Sequence, residues 1–150
     1  VYNWETGVLY NSNAIKYVEG YFWNYGKVIN YFTIDVPYFW NEGYFKNQMG
    51  IITNTHWVSY GWLIIDGIFE NKWGVIHADK WTHANPRQNF DIRGTIYNYG
   101  FIIPGDSNYI KNTGTIYSGN PIQGVNTQPI SSAPTPVRDS IGLIVGTETL

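Results

Sequence analysis

A five-residue phrase, Gly, any residue, a large apolar residue, any residue, Asn, recurs through the first hundred residues and restricts the chain to a wound, repetitive fold. The copies are Gly7-Val8-Leu9-Tyr10-Asn11, Gly20-Tyr21-Phe22-Trp23-Asn24, Gly43-Tyr44-Phe45-Lys46-Asn47, Gly67-Ile68-Phe69-Glu70-Asn71 and Gly94-Thr95-Ile96-Tyr97-Asn98, with a degenerate sixth at Gly114-Thr115-Ile116-Tyr117-Ser118. Subtracting the numbers of successive leading glycines gives spacings of 13, 23, 24, 27 and 20 residues. Most copies are followed by a second glycine-led stretch, as in Gly26-Lys27-Val28-Ile29-Asn30, Gly50-Ile51-Ile52-Thr53-Asn54, Gly74-Val75-Ile76 and Gly100-Phe101-Ile102. Recurrence at roughly 20–30 residues marks units that cannot bury an apolar face alone and must stack on one another.

The spacing inside the phrase predicts strands. In an extended chain Gly, the central apolar residue and Asn point to one side and the two intervening residues to the other. Gly supplies an open backbone conformation for a corner, and Asn is the next most tolerant residue there. A third apolar stretch precedes each restart (Tyr17-Val18, Phe39-Trp40, Leu63-Ile64-Ile65, Phe90-Asp91-Ile92, Tyr109-Ile110). The expectation is therefore an all-β fold, a parallel β-solenoid of about five three-sided coils with a C-terminal extended arm. Stacking would align the corner residues Asn11, Asn24, Asn47, Asn71 and Asn98 into a ladder of amide bonds, as in cross-β assemblies. The alternative is an antiparallel sandwich, which also uses many short strands; Asp66-Gly67 fits a hairpin turn. No long stripe of period 3.6 supports helix.

Two segments follow from composition. Residues 1–126 carry the repeats. Residues 127–150 form a Pro-rich linker (Pro129, Pro134, Pro136) ending in the β-prone run Ile141-Gly142-Leu143-Ile144-Val145. Ile141, Leu143, Ile144 and Val145 are read as an arm strand that either caps the last coil or adds to an open sheet edge of a neighbour. Charged residues make up 13% of the chain and the net charge is −2, so no basic stripe addresses nucleic acid. No apolar run reaches the length of a membrane-spanning helix. Cysteine is absent, which removes disulfides, thiolate metal sites and cysteine nucleophiles. The chain begins at Val1, read as a processed terminus or a fragment end.

Large aromatics at outward positions of the phrase nominate a contact surface: Tyr21, Trp23, Tyr44, Tyr97 and Tyr117, for oligomer packing or for stacking of a glycan. Catalytic constellations are sparse. Asp66 and Asp91 are the carboxylates that coil stacking could bring together for glycoside hydrolysis, though turn chemistry accounts for Asp near a corner. His77, Asp79 and His83 share one stretch in the longest interval and are read as part of a bulging loop, with no metal site assigned. No cofactor is implied.

The units spanning Gly20–Val28 and Gly94–Ile102 resemble the Gly/Asn-punctuated repeats of parallel β-helix proteins, found in surface adhesins of the filamentous-haemagglutinin type and in bacteriophage tail and capsid-associated proteins. The resemblance covers roughly residues 7–118. It implies a non-catalytic structural subunit of an extracellular, cell-surface or virion assembly, forming a homo-oligomer or packing against other structural proteins. The alternative it implies is a carbohydrate-binding or carbohydrate-cleaving β-helix module of the tailspike kind.

Overall fold

Every strand pairing among the three main sheets is parallel, which decides between the solenoid and the sandwich. The computed structural model describes residues 1–55, 61–77, 90–103 and 110–119, together with 137–138 and 144–145. Sheet A stacks β1 (Tyr2–Asn3), β4 (Tyr21–Asn24), β7 (Tyr38–Asn41), β10 (Trp62–Ile65), β13 (Phe90–Ile92) and β16 (Ile110–Asn112). Sheet B stacks β2 (Val8–Asn11), β5 (Lys27–Asn30), β8 (Tyr44–Gln48), β11 (Ile68–Lys72), β14 (Thr95–Asn98) and β17 (Thr115–Ser118). Sheet C stacks β3 (Ile15–Lys16), β6 (Thr33–Asp35), β9 (Ile51–Thr53), β12 (Val75–His77) and β15 (Phe101–Ile103). Each coil runs A, B, C, and the described residues make five coils and two strands of a sixth.

Like residues fill like positions inside the winding. Sheet A contributes Phe22, Phe39, Leu63 and Phe90; sheet B contributes Val28, Phe45, Phe69, Ile96 and Ile116; sheet C contributes Ile34, Ile52 and Ile76, all buried. Phe22 stacks on Phe39 with centroids 5.2 Å apart, and Phe45 on Phe69 at 4.9 Å. Phe39 meets Phe45 edge-on across the interior at 5.2 Å. Burying one such ring contributes about 2–3 kcal/mol relative to leaving it in water.

The Asn positions form two ladders rather than one. At the end of sheet B, Asn11, Asn30, Asn47 and Asn71 each donate through Nδ2 to the amide oxygen of the next Asn, at 2.7–2.9 Å, and Asn98, the last, donates to Ser118 Oγ at 2.9 Å. At the end of sheet A, Asn3 donates to Asn24 and Asn24 to Asn41, both at 2.7 Å. Ile65 and Ile92 then replace Asn in register before Asn112. Asn24 thus stands apart from the other four expected corner residues. The cause is phase: the Gly20 unit is a sheet A strand, whereas the Gly7, Gly43, Gly67, Gly94 and Gly114 units are sheet B strands. The true mate of Gly7 is Gly26, so the anomalous 13-residue spacing was a step from one sheet to another.

The glycines also act differently from the corner role expected of them. Among the described glycines only Gly20 has positive φ, 144°. At the A–B corner glycine is required for space. A Cβ on Gly67 would overlap the carbonyl oxygen of Gly43, and one on Gly94 that of Gly67. The corner Asn residues lie in strands and likewise do not adopt left-handed backbone; their side chains hold the corner instead. Asn24 Nδ2 also donates to the Gly26 and Tyr44 carbonyls at 3.2 and 3.1 Å.

Among the described residues, the left-handed non-glycine ones are two with bulky side chains. Counted from the ladder Asn of sheet B to the first strand residue of sheet C, coils 2 and 5 pass through two residues, Tyr31-Phe32 and Tyr99-Gly100, while coils 3 and 4 carry three, Gln48-Met49-Gly50 and Lys72-Trp73-Gly74. The extra residue is absorbed at Met49 (φ 59°) and Trp73 (φ 57°), at a cost of roughly 1–2 kcal/mol each for a side chain with a Cβ. In the tail, β18 (Val137–Arg138) and β19 (Ile144–Val145) pair antiparallel, Val137 with Val145 and Arg138 with Ile144. The expected arm strand therefore pairs within the tail itself; Ile141 and Leu143 lie outside the described residues.

Candidate contact surface

Side chains alternate along each strand, so the outer wall of a solenoid is a set of columns, one residue per coil. On sheet A one outward column runs Tyr2, Trp23, Trp40, Ile64, Asp91, Lys111, and the other Tyr21, Tyr38, Trp62. The turn that follows adds Trp4, Tyr25, Glu42, Asp66 and Arg93. Among the described residues, eight aromatic rings thus gather on one face over coils 1–4.

Parallel stacking decides how these rings sit. Tyr21 lies on Tyr38 with centroids 4.7 Å apart and planes 19° from parallel, and Trp23 lies on Trp40 at 4.7 Å and 13°. The rings of adjacent coils cover each other's faces. Trp62 breaks the pattern, meeting Tyr38 edge-on at 4.7 Å and 83°. Toward the first coil the aromatic run continues through Tyr25 to Trp4, whose rings stack at 6.0 Å; Trp4 is 68% exposed. Indole N–H groups are anchored by the turn carboxylates: Trp23 Nε1 donates to Glu42 Oε1 at 3.3 Å and Trp40 Nε1 to Asp66 Oδ2 at 2.7 Å. Burial against this face, and the nearby Tyr21 and Glu19 oxygens, raise the Tyr38 phenol above its ordinary value of 10.0.

The five nominated contact residues fall on two faces. Tyr21 and Trp23 belong to the sheet A cluster. Tyr44, Tyr97 and Tyr117 stand on sheet B, whose outward columns are mixed: Lys27, Tyr44, Ile68, Thr95 and Thr115 in one, Tyr10, Ile29, Lys46, Glu70, Tyr97 and Tyr117 in the other. Tyr97 and Tyr117 stack at 5.2 Å. Tyr44 is only 3% exposed; its hydroxyl donates to Glu70 Oε2 at 2.7 Å, and Lys46 Nζ lies 3.6 Å from Glu70 Oε1. Its side chain is committed to the fold. The phrase Gly-x-Φ-x-Asn occurs on both sheets, which is why it merged two faces into one. A sharper signal was available in the exact repeat Tyr21-Phe22-Trp23-Asn24 and Tyr38-Phe39-Trp40-Asn41, which identifies the sheet A columns directly. Tyr2, Trp4, Tyr25, Tyr38, Trp40 and Trp62 were not nominated.

Asp66 and Asp91 do come near one another, through Arg93. The guanidinium contacts Asp91 Oδ2 at 2.8 Å from Nη2 and 2.9 Å from Nε, and its Nη1 lies 3.6 Å from Asp66 Oδ1. Hydrogen bonding to Asp91 raises the Arg93 pKa further, against a smaller effect of desolvation. Asp91 Oδ1 is buried without a hydrogen-bond partner. His77 ends β12 on sheet C, while Asp79 and His83 lie outside the described residues. Among the described residues no three His, Asp or Glu side chains converge in a metal-binding arrangement.

Fold and surface together define the class, a three-sheet parallel β-solenoid with an aromatic outer face. No known protein family, curated protein or solved structure matches the chain.

Proposed function

We propose that the chain is a non-catalytic structural subunit of an extracellular or virion assembly, packing through the aromatic face of sheet A against a second copy or another structural protein. The observation that carries this reading is the mutual stacking of Tyr21 on Tyr38 and Trp23 on Trp40. A sugar ring stacks on the face of an aromatic ring, and here the faces of the central rings are already used. What these rings present outward is edges, indole and phenol polar atoms and a wide apolar area, the combination enriched at protein interfaces. Monomeric proteins seldom expose a continuous patch of this kind. The tail, residues 127–150, is the second element of the proposal, an arm whose β18–β19 pair adds main-chain pairing to a neighbour along its outer edge. The carboxylates offer no separate support for glycan cleavage, since Asp66 and Asp91 are both ion-paired with Arg93.

Mass photometry of the purified chain tests the proposal. Species above the 17.2 kDa of one chain are expected, and Trp23→Ser together with Tyr21→Ser should reduce them. Unchanged assembly in that variant, or binding of oligosaccharide that the variant abolishes while the mass stays at one chain, would reverse the reading.

A further inference from the structure

The corner between sheets B and C carries an apolar stripe outside the face just described. Phe32, Met49, Ile51, Trp73 and Phe101 follow one another over coils 2–5; Met49 is 62% exposed, Trp73 50% and Phe101 66%. Register places Ile51, Val75 and Phe101 in one outward column of sheet C, with the Met49 and Trp73 bulges beside it. The one cation of the stripe, Lys72, has its Nζ 4.8 Å from the Trp73 ring centroid.

The backbone singles out this corner. An inserted residue in the left-handed conformation is most cheaply Gly, Asn or Asp. In two successive coils the chain instead places Met and Trp there, in strained backbone, with their side chains in solvent. Neither side chain enters the core cluster. Strain kept at two equivalent positions without gain to the interior points to a use outside it.

We propose that this corner is a second self-association surface, on which a second copy docks about a two-fold axis passing between coils 3 and 4. The order of the stripe is palindromic about that point, with an aromatic at each end and a bulge in each central coil. Coil 2 of one copy then faces coil 5 of the other, and coil 3 faces coil 4. Met49 meets Trp73 of the second copy, a sulfur–aromatic contact, and Phe32 meets Phe101, each contact occurring twice as a two-fold interface requires. The five side chains expose roughly 500 Å², at the upper end of patches on monomers and most of the ~800 Å² that each partner of a stable dimer buries. With the sheet A face this gives each chain two unlike contact surfaces, so association propagates. The inference rests on the preceding reading only for the identity of the partner.

The test is Met49→Gly with Trp73→Gly in the full chain. Glycine removes both side chains and relieves both backbones, so the variant should melt no lower than the parent while one association step, read by sedimentation equilibrium, weakens at least tenfold. Unchanged association overturns the proposal, and so does a lowered melting temperature with association intact. Cross-linking supplies a check independent of that variant's folding. The chain has no cysteine, so Phe32→Cys and Phe101→Cys chains carrying different tags report only on each other. Mixed-tag disulfides exceeding same-tag ones at least tenfold are expected; equal yields, or none, sink the two-fold arrangement. Trp23→Ser should leave this cross-link unchanged, so failure of the sheet A face and failure of the corner are read separately.

Discussion

The A–B corner and the B–C corner are both punctuated by Asn and Gly, yet they tolerate change in opposite ways. At the A–B corner every coil from the second onward turns through one residue and a glycine, and each glycine sits against the carbonyl of the one before. At the B–C corner two coils hold an extra residue, and the surplus is thrown outward as Met49 and Trp73. One corner is closed by contact between coils, and the other leaves room for an added residue on its outer side. The C–A connection varies most, from Val36-Pro37 between β6 and β7 to residues 78–89 between β12 and β13. The uneven spacing of the phrase is collected there.

Substitutions in the core and at the two corners should differ widely in cost. Phe45→Asp should have the largest effect. It places a carboxylate at a fully buried position stacked on Phe69, a penalty of about 5 kcal/mol or more that exceeds the margin of many domains. Loss of the β signature in circular dichroism is expected; a soluble, cooperatively melting variant would refute the register. Gly67→Ala comes next, at about 2–4 kcal/mol, because the obstacle is backbone and cannot turn aside. Its counterpart across the coil, Trp73→Gly, should cost nothing in thermal melting. Equal effects at the two positions would erase the distinction between the corners.

Substitutions in the two Asn ladders should cost less. Asn71→Ala leaves the Asn47 donor and the Asn98 acceptor without their partner and should lose about 2–3 kcal/mol in urea unfolding. Asn41→Ile should lose about 1 kcal/mol less than that, since Ile65 and Ile92 already occupy the same column in the next two coils. The smallest effect is with pH. Desolvation, reinforced by neighbouring phenols, raises the Tyr38 and Tyr97 pKa above 10.0, so the folded chain holds these protons more tightly than the unfolded chain does. Stability from this source is complete below pH 10 and declines as pH rises through the folded values. Absorbance titration at 295 nm should show phenols ionising late, with unfolding following ionisation.

Much of this was legible in the sequence because alternation and recurrence are local. The placement of Phe22, Phe45, Phe69 and Ile96 inside, and the bonding of stacked Asn, follow from period 2 within the phrase. Which sheet each copy belongs to does not, because Gly20–Asn24 and Gly43–Asn47 read alike while lying on different walls. The reason for the glycines was also hidden: crowding by the carbonyl of a residue some twenty positions away leaves no local trace, whereas an open φ is the commoner cause. The aromatic face of sheet A was half legible. The phrase put Tyr21 and Trp23 on the outer wall, and the Tyr-Phe-Trp-Asn repeat would have added Tyr38 and Trp40. Trp73 gave no sign, since left-handed backbone at a tryptophan runs against its propensity.

Hydroxyl-radical footprinting at dilute and at assembling concentrations reads the proposed association through the sheet A aromatics residue by residue. Tyr21, Trp4 and Trp23 should lose reactivity as the chain assembles, while the already buried Tyr44 stays unchanged. Assembly with undiminished oxidation of Tyr21, Trp4 and Trp23 would contradict the claim.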